Sequence, residues 1–199
     1  MIRTLIFDLS EVFVSGLIGT EFVLADRLGC SAESVVAAFF DEHLYRLCRD
    51  EIDEDAFLAE SRRRGGWDIG IDELKGLIRA NFRVKVAGTE ALFDELRGRY
   101  ETVLLSDHGR EWVATIRAIH PFLERFDGLF FSFDLGSTKR EPETFRTVLS
   151  LLGRGPAECV FIDDNAGNVA VARSVGIPSI QFESAEVLRR DLEAMERGD

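Results

Sequence analysis

Short apolar runs, each stopping at a polar residue, recur along the chain. "TLIFD" stops at Asp8, "TVLLS" at Ser106, "GLFFS" near Ser132, "CVFIDD" at Asp163 and Asp164, and "PSIQF" at Phe182. Such unbroken runs predict strands covered on both faces, as in parallel sheets. Helical patterns separate them. "GTEALFDELRGRY" puts Leu92, Phe93 and Leu96 on one face, with acids early and arginines late, which suits the helix dipole. "REWVATIRAI" follows Ser106, and "EPETFRTVLSLLG" carries Pro142 in its first turn and Gly153 just past its end. "NAGNVAVARSVG" stops at Gly176, and "SAEVLRRDLEAMERG" closes the chain. Strands alternating with helices predict an α/β, doubly wound, mainly parallel sheet.

One stretch breaks the alternation. From about Leu17 to Val84 every pattern is helical: "EFVLADRLG", "SAESVVAAFFDEHLYRL", "DEDAFLAESRRRG" and "IDELKGLIRANF". Ser31 with Ser34, and Asp53 with Asp55, look like helix starts. A crossover needs a single helix, so a block of this length predicts an inserted all-helical cap, or lid. The expected division is a core of residues 1–16 and 85–199 and a cap of residues 17–84. Phe39 and Phe40 are expected to pack inside the cap, and Ser61 to Gly66 to form a solvated turn.

Charge and cysteine content narrow the partners. The formal net charge is -12 over 199 residues, so a nucleic-acid backbone or an anionic membrane surface is repelled. A small anion remains possible, because a metal or a lysine reverses the field locally. The three cysteines, Cys30, Cys48 and Cys159, are odd in number and have no metal-ligand spacing, which points to inert, reduced thiols. The first residues lack a signal-peptide pattern, and no apolar run reaches the ~20 residues that span a bilayer. A cytoplasmic protein is expected, with monomer and homodimer equally open.

In parallel α/β sheets ligands bind outside the carboxyl ends of the strands. Asp8, Ser106, Asp163 and Asp164 stand there, with Lys139 in the loop after the third run. Carboxylates ~4 Å apart repel by on the order of 4 kcal/mol per pair at an effective dielectric near 20. A proton or a cation must sit among them. A hard divalent ion with oxygen ligands fits, magnesium best, since it also holds waters and a substrate phosphate. Phosphoryl transfer asks for positioning and charge neutralisation, and an ionised Asp is an adequate nucleophile.

The motifs "LIFDLSEVFV", "VLLSDHG", "KREPETF" and "VFIDDNAGNVAVARSVGIPSIQF" together resemble those of the haloacid dehalogenase superfamily, in order and at the right spacing. The resemblance implies a Rossmann-like core with a type 1 helical cap. It implies a Mg2+-dependent hydrolase, with a small phosphorylated metabolite as substrate. By that resemblance Asp8 is the nucleophile, Ser106 and Lys139 are the conserved phosphate-binding hydroxyl and lysine, and Asp164 is the main metal ligand. Asp163 helps directly or through water, and the Ser10 carbonyl is a further ligand. Asp107, Asn165 and, from the cap, Arg49 are candidate substrate contacts.

The sequence departs from that pattern at position 10. Phosphatases of the superfamily usually carry an Asp there as acid and base; this chain has Ser10, whose hydroxyl does not titrate usefully. Ser10 itself, Glu11, Asp107 and His108 are the candidate substitutes. His43 and His120 read as structural or surface residues. Two rival readings follow from the same residues: metal-independent cleavage of a 2-haloacid by Asp8, and a catalytically weakened binding or regulatory protein. Ser10, and Arg140 in place of the usual Pro, motivate the second.

Overall fold

The computed structural model describes residues 1–197. Five strands form one parallel sheet: β1 (Thr4–Phe7), β2 (Glu101–Ser106), β3 (Gly128–Phe131), β4 (Cys159–Asp163) and β5 (Ser179–Gln181), ordered β3-β2-β1-β4-β5. Phe7 pairs with Leu104 on one side and Ile162 on the other, so the carboxyl ends of β1, β2 and β4 finish side by side. The order reverses at β1, which creates a crevice beyond its end.

Strand residues alternate between two apolar clusters. Leu5, Phe7, Leu104, Val160 and Ile162 enter one; Ile6, Val103, Leu105, Cys159 and Phe161 enter the other. The first face is covered by α6 (Thr89–Leu96), α7 (Arg110–Ile119) and α11 (Ala185–Arg197). The second is covered by α9 (Pro142–Leu152) and α10 (Ala166–Ser174). A short α8 (Ser132–Leu135) follows β3 directly. Pro142 opens α9, and Gly153 ends it in the left-handed conformation at φ 63, as the sequence pattern requires.

Five phenylalanines gather beneath the loop after β1. Phe13 stacks on Phe122 at 5.1 Å, and Phe93 meets Phe126 at 4.4 Å between ring centroids. Phe7 meets Phe13 edge-on at 5.5 Å. Such pairs add about 0.5–1.5 kcal/mol each beyond their area burial.

Residues 17–84 hold five helices: α1 (Thr20–Leu28), α2 (Ala32–Phe39), α3 (Glu42–Cys48), α4 (Glu54–Gly65) and α5 (Ile71–Asn81). The caps read from the sequence form. The Ser31 side chain accepts from Ser34 N–H, and Asp53 from Ala56 N–H. The pattern from Ser31 to Leu47 is two helices rather than one. Asp41 turns extended, accepts the His43 N–H and pairs with Arg64, so the chain breaks at Phe40. Residues 61–65 are the last turn of α4 and not a solvated turn. Ser61 is buried and donates to the Phe57 carbonyl at 2.9 Å, while Arg63 and Arg64 pair with Glu60; arginines there suit the helix C-terminus.

The chain enters and leaves this helical block through one place. Ser10 bridges to Val14, and Val14 pairs antiparallel with Lys85. Ser15 N–H donates to the Val84 carbonyl and Val86 N–H to the Phe13 carbonyl, both at 2.9 Å. The apolar interior of the block (Leu24, Val35, Phe39, Phe57, Leu74) is continuous with the sheet's first face. Leu47 lies so near Gly109 that a Cβ there would meet it at 3.0 Å. No described helix is long and apolar enough to cross a membrane.

Candidate active site

Asp8 is the first residue past β1, and its N–H donates to the Ile162 carbonyl at 2.9 Å. Asp163 ends β4, with Asp164 next to it. Oxygens of Asp8, Asp163 and Asp164 lie within 4.8 Å of one another. Lys139 reaches in from the loop after α8, its Nζ 2.7 Å from both Asp8 Oδ1 and Asp163 Oδ2. Burial alone would depress that ammonium; Asp163, Asp8 and Asp107 outweigh burial and hold it above the ordinary lysine range. Burial, with the charges of Asp163 and Asp164, holds the Asp8 carboxyl well above its ordinary value, although Lys139 opposes the shift. Asp164 is raised by burial and by Asp163. Three acids against one ammonium leave an excess of negative charge, and a divalent cation relieves it.

The oxygens differ in how much they are used. Asp8 Oδ1 accepts from Leu9 N–H at 2.7 Å as well as from Lys139, leaving Oδ2 free of either contact. Asp163 is saturated: it accepts from Asn165 N–H, from Lys139 and from Asn168 Nδ2 at 3.0 Å. These bonds hold the lysine between Asp163 and Asp8. Asn165 caps α10, its side chain accepting from Gly167 and Asn168 N–H, so the cap and the acid pair are separate devices.

Ser106 ends β2, and its buried Oγ has no hydrogen-bond partner. A buried hydroxyl left unpaired is costly, and an anionic oxygen would satisfy it. It does not cap α7, which starts at Arg110 behind Gly109. The acid trio, the ammonium and this orphaned hydroxyl together fit a magnesium ion and a phosphate.

Ser10 Oγ and His108 Nε2 share a hydrogen bond of 2.7 Å. Gly16 is required beside them, because a Cβ there would meet Ser10 Oγ at 2.6 Å. Burial, then Lys139, depresses His108 to about 3, so the imidazole is neutral at neutral pH. Asp107 accepts the Lys139 N–H with both oxygens, at 3.2 and 3.0 Å, and burial pushes it up to about 6. Glu11, in the left-handed region at φ 59, accepts the Gly16 N–H with Oε1 at 2.7 Å and is raised by burial.

A cavity of about 190 Å³ connects Asp8, Ser10, Glu11, Asp107, His108, Lys139, Asp164 and Asn165. Asn168 also lines it, as do Trp112 and, from the cap segment "YRLCRDEID" that the resemblance turns toward the cleft, Tyr45 and Cys48; Asn168 and Trp112 were not singled out from the sequence. Asn168 had one faint signal, its place one turn into the helix after the acid pair. Arg49 is not among the lining residues; it is committed to Glu42 at 2.5 Å and Glu51 at 2.7 Å. Phe39 packs inside the helical block against Phe57, but Phe40 does not: it is 40% exposed and lines the cavity. His43 stacks on Phe57 and His120 bonds the Phe82 carbonyl, both structural. The cysteines are unpaired, and burial pushes Cys159 up to about 11.

A sequence model of the haloacid dehalogenase-like hydrolases matches residues 2–176. The chain belongs to that family. This haloacid dehalogenase-like hydrolase is 40% identical over 63 residues, 32% of its length, to flavin mononucleotide hydrolase 1 of Arabidopsis thaliana, where the match covers 26% of the protein. It is 31% identical over 72 residues to D-ribitol-5-phosphate phosphatase of Bacteroides thetaiotaomicron, covering 36% of this chain and 35% of that one. The chain thus spans well under half the length of these relatives. A haloacid dehalogenase family enzyme of Bacteroides thetaiotaomicron, crystallised with magnesium and inorganic phosphate, has the same fold: TM-score 0.73 at 22% identity, over 92% of this chain and 96% of that one.

Proposed function

We propose that this haloacid dehalogenase-like hydrolase is a magnesium-dependent phosphatase of small phosphorylated metabolites, with Asp8 as nucleophile and residues 17–84 as a lid over the core. The observation that carries the reading is the triad of Asp8, Asp163 and Asp164 oxygens within 4.8 Å, with Lys139 bridging Asp8 and Asp163 and an unpaired Ser106 hydroxyl at the end of the neighbouring strand β2. Relatives named as phosphatase and flavin mononucleotide hydrolase support it.

Asp8 Oδ2 attacks phosphorus, the ester oxygen leaves, and an aspartyl phosphate forms on Asp8. Magnesium, held by Asp8, Asp164 and the Ser10 carbonyl with Asp163 behind them, would supply charge neutralisation at the phosphate. Ser106 donates its hydroxyl to a phosphate oxygen. Lys139 keeps its ammonium beside Asp8 throughout. Water then cleaves the aspartyl phosphate, releasing inorganic phosphate and restoring the carboxylate.

The proton for the leaving group is assigned to Glu11 on geometry. Its Oε1 is taken by Gly16, which leaves Oε2 outside that bond, and the residue lines the cavity. Both oxygens of Asp107 are engaged by Lys139 N–H.

The test is phosphate release from a broad panel of metabolite monoesters with magnesium and with chelator. Turnover that needs the metal and vanishes in Asp8→Asn is expected. No turnover across the panel would sink the reading. Halide release from a 2-haloacid in chelator would favour dehalogenation instead.

A further inference from the structure

Resting on the phosphatase reading, we propose that the leaving group is apolar and about the size of an aromatic ring, so that the substrates are monophosphates of hydrophobic alcohols rather than of polyols or of molecules with a second anionic group. The cavity is chemically two-ended. Its floor is the polar set around Asp8. Its opposite wall is Leu17, Ile18, Phe40, Leu44, Tyr45 and Cys48, contributed by the helical block.

Trp112 closes one side, and its Nε1–H is already given to Glu54 at 2.9 Å, so it offers ring carbon to a ligand. At the rim Ile18 is 53% and Phe40 40% exposed. Two large apolar side chains left against water beside a catalytic floor gain by being covered with apolar surface.

Charge on this wall points the same way. A second phosphate or a carboxylate needs an uncommitted cation. None of the nearby arginines lines the cavity: Arg46 pairs with Glu51, Arg49 with Glu42 and Glu51, and Arg140 lies over the Tyr45 ring, its guanidinium 4.3 Å from the ring centroid and 3.8 Å from Glu42. A polyol needs several convergent donors and acceptors; on this wall the Tyr45 hydroxyl is the oxygen-bearing group among side chains otherwise of carbon and one thiol.

The test compares two primary-alcohol esters, 3-phenylpropyl phosphate and glycerol 1-phosphate, which ask similar chemistry of the floor. A binding comparison runs alongside, titrating 3-phenylpropylphosphonate and methylphosphonate calorimetrically with magnesium. A preference of about tenfold or more for the phenyl compounds is expected in both kcat/KM and Kd. Phe40→Ser and Leu44→Asn should narrow both ratios, and Phe40→Leu should restore them. Hydrolysis of both esters without preference overturns this inference and leaves the phosphatase reading standing. Discrimination between the phosphonates with no ester hydrolysed overturns the phosphatase reading and, with it, the assignment of these substrates, leaving a site that binds apolar phosphonates. Hydrolysis of neither ester together with binding of neither phosphonate overturns both.

Discussion

At position 10 a hydroxyl stands where the resemblance read from the motifs expects a carboxylate, and the neighbouring side chains carry the consequences. If Glu11 supplies the proton, Glu11→Gln lowers kcat by ~10² to 10⁴ for alkyl esters. Aryl esters, whose leaving groups need no proton, should be far less affected. Equal losses on both would remove Glu11 from the role. Gly16→Ala drives a methyl into Ser10 and should lower kcat without abolishing folding, as checked by kinetics and a thermal melt.

Asp107 gives a pH signature of its own. Its folded value of about 6 exceeds its ordinary 3.8, so the folded protein holds a proton that the unfolded chain has released. Its contribution therefore favours folding at low pH and is lost as pH rises from about 4 through about 6. Asp107→Asn should flatten urea-measured stability over that window by on the order of 1 kcal/mol, less than the full shift because the carboxyl touches the wet cavity. At this scale the sequence revealed the strand-end residues Asp8, Ser106, Asp163 and Asp164, since a polar residue closing an apolar run stands out. It did not reveal Asn168 or the Ser10–His108 pair, because an amide on a helix and a contact spanning 98 positions leave no local pattern.

Among the elements, the attachment of α4 is governed by Glu54. It is 2% exposed, accepts from Trp112 Nε1 on α7, and pairs with Arg79 on α5. Glu54→Ala strands a buried indole N–H and removes the partner of a part-exposed guanidinium, and should cost ~1–3 kcal/mol by chemical denaturation, with a shift in Trp112 fluorescence. Arg110 makes a contrasting link to Asp50 across the same seam, at 3.0 Å with both side chains about half exposed. Arg110→Ala should cost less than ~1 kcal/mol. Phe13→Ala, which opens the five-ring cluster, belongs with the large effects at about 3–5 kcal/mol. Strands and most helices were legible from periodicity and end signals. The break between α2 and α3 was not, because the apolar pattern runs through Phe39 and Phe40 without pause; the cue was Asp41, a capping residue followed by an acid.

For the molecule as a whole, the doubly wound parallel order could be read from alternation alone, whereas the fusion of the helical block to the sheet's interior could not. Contact between segments remote in sequence is decided by which faces are left apolar after each element forms. A chain lacking residues 17–84 would strip Trp112 of its ring contacts with Phe57 and Phe82 and leave the first sheet face without much of its cover. It should bind a hydrophobic dye strongly and elute as aggregate, where the intact chain should do neither.

The paired passages at Val14 and Lys85 carry a mechanical corollary. Any swing of the helices above would turn both passages as a single ribbon, and the near end of that ribbon is Ser10. Torque from a ligand seated overhead would thus arrive two residues from the attacking oxygen and one from the assigned proton donor, linking occupancy at the far wall to alignment at the floor.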